Sequence, residues 1–130
     1  ILFRRGEVEN PRAREVWTFF PDPWRKKRHH KRRLVSDNFA KSVALVLEQG
    51  GVWRMATDWA DYAWHMRDVV ANSPHFSNPY SEKNPDAADQ GQYRGGFAKR
   101  WPGRVMTRFE SRGIEAGRKI FDVEAIRERD

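Results

Sequence analysis

Cysteine is absent from the 130 residues. Its absence excludes disulfides and thiolate metal sites, and it accords with a cytoplasmic protein. No run of about 18 apolar residues occurs, so the sequence offers no membrane-spanning helix. Neither an internal repeat nor a coiled-coil heptad is found, which sets aside solenoid and fibrous architectures. One further absence is local. Residues 25–33 contain no Asp or Glu but seven Lys/Arg. The chain carries 25 Lys/Arg and 18 Asp/Glu; with those seven set aside, 18 of each remain. The net charge of +7 is therefore the property of one segment. A local cationic cluster of this kind is what counterion release from a polyphosphate backbone exploits.

What is present is a short α/β pattern. Apolar residues make up 38% of the chain, with six Trp and eight Phe, enough to build a core. Glu15 to Phe20 is a β-rich run closed by Pro21 and predicts a buried strand. Leu34 to Gln49 predicts a helix capped by Ser36 or Asp37 and ended by Gly50-Gly51, with Phe39, Val43, Val46 and Leu47 as its apolar stripe. Val52 to Thr57 predicts a second strand. Trp59 to Asn72 predicts a second helix with Tyr62, Met66, Val69 and Val70 on one face. Strand, helix, strand, helix in this order indicates parallel pairing. Residues 73–103 are rich in Pro, Gly, Asn, Asp and Ser and read as a long functional loop, expected to order with RNA through Tyr93, Arg94, Lys99 and Arg100. Arg104 to Arg112 and Lys119 to Ile126 read as two strands joined through Gly113 and Gly117, forming an antiparallel edge hairpin. Residues 1–14 read as a polar loop or remnant.

Asp22 follows the first strand directly and lies between Pro21 and Pro23. Proline fixes its own φ and pushes the preceding residue out of the helical region. The carboxylate is thus expected on a stiff backbone at a strand's carboxyl end, where open α/β sheets bind ligands. Trp24 adds a flat aromatic face, and an acid with a stacking platform suits a planar base bearing ring N–H donors. The alternative is a plain turn cap. Asp58, at the end of the second strand, reads equally as a cap for the following helix and as a ligand contact. His29 and His30 lack a third ligand at metal spacing, so they are expected to bond phosphate or sugar. By alternation alone, Thr107 to Glu110 is an ordinary strand.

Phe20-Pro21-Asp22-Pro23-Trp24, Lys26, and then Arg28-His29-His30-Lys31-Arg32-Arg33 resemble the signature of the bacterial tRNA (guanine-N7)-methyltransferases. Gly50-Gly51 before a strand, Thr57-Asp58, Tyr62 and Thr107-Arg108-Phe109-Glu110 followed by Gly113 continue in that family's order. The turn with its basic run is the specific part, and the resemblance covers roughly Val16 to the C-terminus. It implies a Rossmann-like, doubly wound class I methyltransferase fold with S-adenosylmethionine as methyl donor. The substrate it implies is a guanine in the tRNA variable loop, and it implies neither a metal nor a membrane. Asp22 takes the position of the family's active-site aspartate and lies near the donor. Lys26, Asp58, Thr107, Arg108, Phe109 and Glu110 take substrate-contact positions, and Arg28, His29, His30, Lys31, Arg32 and Arg33 take the RNA-interacting stretch.

The resemblance also marks a departure. Family members carry a Gly-rich, acidic donor-binding region N-terminal to the turn, and the first fourteen residues contain only Gly6. Residues 15–130 therefore match the carboxyl-terminal portion of one methyltransferase domain, and residues 1–130 alone are expected neither to bind the donor well nor to catalyse. A non-catalytic tRNA-binding module is the alternative. An amino-methyltransferase acting on nucleic acid is a third reading, which matches Asp22-Pro23-Trp24 only in part.

Overall fold

The computed structural model describes residues 13–80 and 96–128. Strand β1 (Ala13–Phe19) is followed by a short 3-10 helix (Lys27–Arg32), helix α1 (Asp37–Val46), strand β2 (Leu47–Thr57) and helix α2 (Ala60–Asn72). A two-residue strand β3 (Phe76–Ser77), helix α3 (Arg108–Glu115) and strand β4 (Phe121–Arg127) complete the order. Of the loop expected at 1–14, Ala13 and Arg14 instead begin β1, while residues 1–12, like residues 81–95 and so Tyr93 and Arg94, lie outside the described residues.

The four strands form one sheet in the order β1-β2-β4-β3. β1 and β2 are parallel, with Glu15 opposite Val52 and Phe19 opposite Ala56. β4 runs antiparallel to β2 and to β3. The expected α/β class with parallel strands and an antiparallel edge is thus what the chain forms. The members of that edge differ from expectation: β4 pairs with β3, while Arg104 to Arg112, read as a strand, forms none and runs into helix α3 at Arg108. Thr107 Oγ1 accepts from the Glu110 N–H at 3.3 Å, which is the start of a capping box. The Thr-x-x-Glu spacing is a helix-start signal, and it outweighs the two-residue alternation.

Helix α1 begins as expected, with Ser36 Oγ accepting from Phe39 N–H at 3.1 Å. It stops at Val46 rather than at the glycine pair, because Leu47 already adopts extended geometry. Gly50, at φ +80°, and Gly51 instead lie within β2. A Cβ on Gly51 would sit 2.9 Å from the Glu48 carbonyl oxygen and 3.0 Å from that of Arg14, so only glycine lets β2 run this close to β1. The core lies between β2, β4 and the two longer helices: Val43, Leu47, Trp53, Met55, Met66 and Val123 are all buried. Its few polar groups are paired. Trp53 Nε1 donates to Thr18 Oγ1 at 3.0 Å, and the Tyr62 hydroxyl accepts from Val35 N–H at 3.1 Å.

Candidate nucleotide-modifying site

The two parallel strands end side by side, β1 at Phe19 and β2 at Thr57. Beyond each end the chain presents an acid and a tryptophan: Asp22 with Trp24, and Asp58 with Trp59. The first turn is strained as well as proline-locked. Phe20 and Trp24, at its two ends, have φ of +51° and +39°. Non-glycine residues adopt positive φ at a cost that the surroundings must hold in place. Asp22 Oδ1 accepts from Trp24 N–H at 3.2 Å, and the Asp22 side chain is otherwise exposed.

A cleft of about 450 Å³ opens at these strand ends, lined by Phe20, Asp22, Asp58, Trp59, Phe109, Arg112 and Arg118 among others. Asp58 does not cap α2. The helix has no side-chain cap; Thr57 Oγ1 accepts the Trp59 N–H at 3.3 Å instead. Asp58 Oδ2 accepts from Arg118 Nε at 2.8 Å, and the Arg118 guanidinium lies 4.7 Å from the Trp59 ring. Two glycines bring this about. Gly113 is buried in α3, and a Cβ there would meet the Asp58 carboxylate at 3.0 Å. Gly117, at φ +78°, closes α3 with a Schellman turn: its N–H bonds Ile114 O at 2.9 Å, and Arg118 N–H bonds Gly113 O at 2.8 Å. That turn delivers Arg118 to Asp58.

Of the residues expected to contact substrate, Asp22, Asp58 and Phe109 share this cleft. Lys26 and His29 line a neighbouring one, with Asp22 and Trp59 common to both. Thr107, Arg108 and Phe109 are exposed on the first turn of α3, Phe109 at 66%. Arg28, Lys31 and Arg32 are exposed, and His30 is half-buried with its Nε2 3.2 Å from Arg25 O.

Two expected contact residues are instead internal. Arg33, 5% exposed, donates through Nε to Pro23 O at 2.9 Å and through Nη2 to Asp61 at 2.5 Å, with its guanidinium over Tyr62. It braces the acidic turn against α2 rather than facing solvent. Glu110, 1% exposed, is held by Arg104 (3.1 and 2.9 Å) and Arg100 (2.8 and 3.3 Å). Arg104 also reaches Asp122 at 2.5 Å. Arg100, expected in an RNA-ordered loop and itself exposed, joins the buried Arg104 and Glu110 in an ion network. The network fixes the start of α3 and so the wall that carries Phe109.

Burial would push the Glu110 carboxyl up, but the hydrogen bonds from Arg104 and Arg100 outweigh it and hold it at about 2, against an ordinary 4.5. At Asp122 burial wins and raises the carboxyl above 3.8 in spite of Arg104. The two act with opposite sign on acidification. Glu110, depressed in the folded state, contributes stability that is present above pH 4.5 and lost as the pH falls toward 2. Asp122 binds its proton more tightly when folded, so acid relieves part of its cost. Thermal melting from pH 5 to pH 2 should therefore show a smaller decline in Glu110→Gln than in the unaltered protein. Equal slopes would remove Glu110 from the acid response.

Trp59, Arg112 and Arg118 were not singled out by sequence. The repeated acid-then-Trp pattern after each parallel strand was the available signal for Trp59. Arg112 and Arg118 carried none, because their place depends on the α3 helix and its closing turn.

A parallel pair with acid-bearing carboxyl ends, extended by antiparallel strands, defines part of a class I methyltransferase fold. The profile of the family described as "Putative methyltransferase" matches residues 5–123, and the chain belongs to that family. Such methyltransferases in general imply S-adenosylmethionine as donor. The chain is 48% identical over 109 residues to the tRNA (guanine-N(7)-)-methyltransferase of Cutibacterium acnes, covering 84% of this chain and 36% of the relative. It is 45% identical over 116 residues to that of a Nocardioides species, covering 89% and 40%. With that of Pseudomonas paraeruginosa it shares 44% over 105 residues, covering 81% and 38%. The chain thus spans well under half the length of these relatives.

Proposed function

We propose that these residues form the base-accepting part of an enzyme that transfers a methyl group from S-adenosylmethionine to N7 of a guanine in the variable loop of tRNA. The observation that carries the reading is the cleft in which Asp22 and Asp58, from adjacent strand ends, share walls with Trp59 and Phe109. The names of the relatives support the substrate class. The chain's own residues fit one end of the donor: Asp22 is an exposed carboxylate on a fixed turn, with the Phe20 ring beside it, suited to lie near a sulfonium. When bound, the donor supplies an electrophilic methyl group.

Guanine N7 carries a lone pair and no proton, so no base is needed to create the nucleophile. The work left to the protein is orientation and stabilisation of the positive charge that develops on the methylated ring. Asp58 is held by Arg118 and can accept from the guanine N1–H and amino edge. Asp22 faces the same space and offsets the charge. Trp59 and Phe109 supply flat apolar surface for the base. The exposed members of the basic run, Arg28, Lys31 and Arg32, hold phosphates and bring the loop to the cleft.

The test is methyl transfer by the whole protein to unmodified tRNA, with mapping of the methylated atom. Methyl on N7 of a variable-loop guanine is the expected product; methyl on an exocyclic nitrogen would overturn the assignment.

A further inference from the structure

The second cleft, about 390 Å³, lies across the Asp22-Pro23 turn from the first and is lined by Trp24, Arg25, Lys26 and His29, with Asp22 and Trp59 as the shared wall. Its chemistry differs from its neighbour's. In the first cleft Arg118 is neutralised by Asp58, which leaves Arg112 on its wall without an ion pair among the described residues. In the second, neither Arg25 nor Lys26 has a carboxylate within ion-pair distance among the described residues. The Arg25 guanidinium carbon lies 4.5 Å from the centroid of the Trp59 ring, and no hydrogen bond of this guanidinium occurs among the described residues. Trp24 stands edge to face with His29 at 5.7 Å, and Arg32 lies 5.1 Å from the Trp24 ring. No hydrogen bond to the His29 ring nitrogens occurs among the described residues. Arg25 on the Trp59 ring, with Lys26 and two further aromatic rings in the same cleft, suits a phosphate joined to a base.

We propose that this second cleft is a subsite for the nucleotide next to the target guanine, with Arg25 and Lys26 on its phosphate and Trp24 and His29 against its base. The inference rests on the first cleft holding the guanine. A base extruded into one cleft leaves its neighbour unstacked, and the neighbour then needs a surface of its own. Trp59 is the divider: Arg118 packs on its ring from the first cleft and Arg25 from the second. The two nucleotides would be splayed across the Asp22-Pro23 turn, which Phe20 and Trp24 flank with positive φ.

The experiment scans single abasic nucleotides through the variable loop of tRNA and measures binding by the whole protein, unaltered and as His29→Ala and Arg25→Gln. Loss of a stacked base weakens binding by about tenfold. One abasic position adjoining the target should show that penalty in the unaltered protein and lose it in His29→Ala. Arg25→Gln should lower the salt dependence of binding by about one ion while leaving the abasic pattern in place. An abasic penalty of equal size with and without His29 at every position overturns the subsite, as does an unchanged salt slope in Arg25→Gln. Mapping the methyl group separately keeps the two readings apart. A methylated N7 with no His29-dependent position sinks the subsite alone; a His29-dependent position with methyl elsewhere sinks the N7 assignment alone.

Discussion

Replacing Asp22 with Ala is expected to lower the methyl-transfer rate of the whole protein by about 10²–10³-fold, the range for removing one preorganised electrostatic group, with little loss of stability. The side chain is exposed, and its one hydrogen bond among the described residues is the 3.2 Å contact with Trp24 N–H. Asn keeps an oxygen for that bond and so keeps the turn, but it lacks the charge. Asp22→Asn is therefore expected to fall nearly as far as Asp22→Ala in kcat while holding KM for tRNA close to the original. Full activity in Asp22→Asn would show that the charge is dispensable. The pH profile discriminates further, because N7 needs no deprotonation. The loss should be the same factor across neutral and alkaline pH. A solvent deuterium isotope effect that Asp22→Asn abolishes would mean that Asp22 acts as a base.

Arg104→Ala is expected to destabilise the fold by about 3–5 kcal/mol, the cost of leaving a buried ion network without one partner. Arg104 is 4% exposed and is the link between Glu110 and Asp122, which are 1% and 6% exposed. Without it two buried carboxyls lose their common cation, although Arg100 remains on Glu110. A domain of this size has a stability of about 5–15 kcal/mol, so the variant would be largely unfolded near its working temperature. The cost belongs to the broken network rather than to the loss of a stabilising charge. Combining Arg104→Met with Glu110→Gln and Asp122→Asn should recover much of the loss, since no unpaired charge then stays buried. Denaturant unfolding of the single and triple variants measures this; a triple variant as unstable as the sum of its parts would contradict it. Because the network anchors the α3 turn bearing Phe109, the triple variant tests positioning as well. A stable triple variant with a raised KM for tRNA would tie the network to the cleft wall.

The sequence by itself determined the features that rest on neighbouring residues. Pro21 and Pro23 fix Asp22 wherever the chain goes next, because proline restricts its own φ and the preceding ψ. The alternation of strand and helix up to Asn72, the Ser36 cap and the parallel pairing of the first two strands are likewise local or nearly so. The charge run was legible as composition, and its resemblance to a family signature led to the same methyltransferase family that the profile match gives. The tertiary structure alone decided which charges are surface and which are scaffold. Arg33 looks like its neighbours in sequence, yet it is buried because Asp61, 28 residues on, and the Pro23 carbonyl converge on it. Glu110, in the exposed-looking Thr107 to Glu110 run, is buried because Arg104 and Arg100 close around its carboxylate. Asp58 finds Arg118 across 60 residues, through a glycine-closed helix that strand-like alternation conceals. Long-range ion pairs leave no periodic trace in a sequence, since any Arg can meet any Asp that the fold delivers. Short-range backbone constraints do leave one, because the residue that imposes them is the residue that is read.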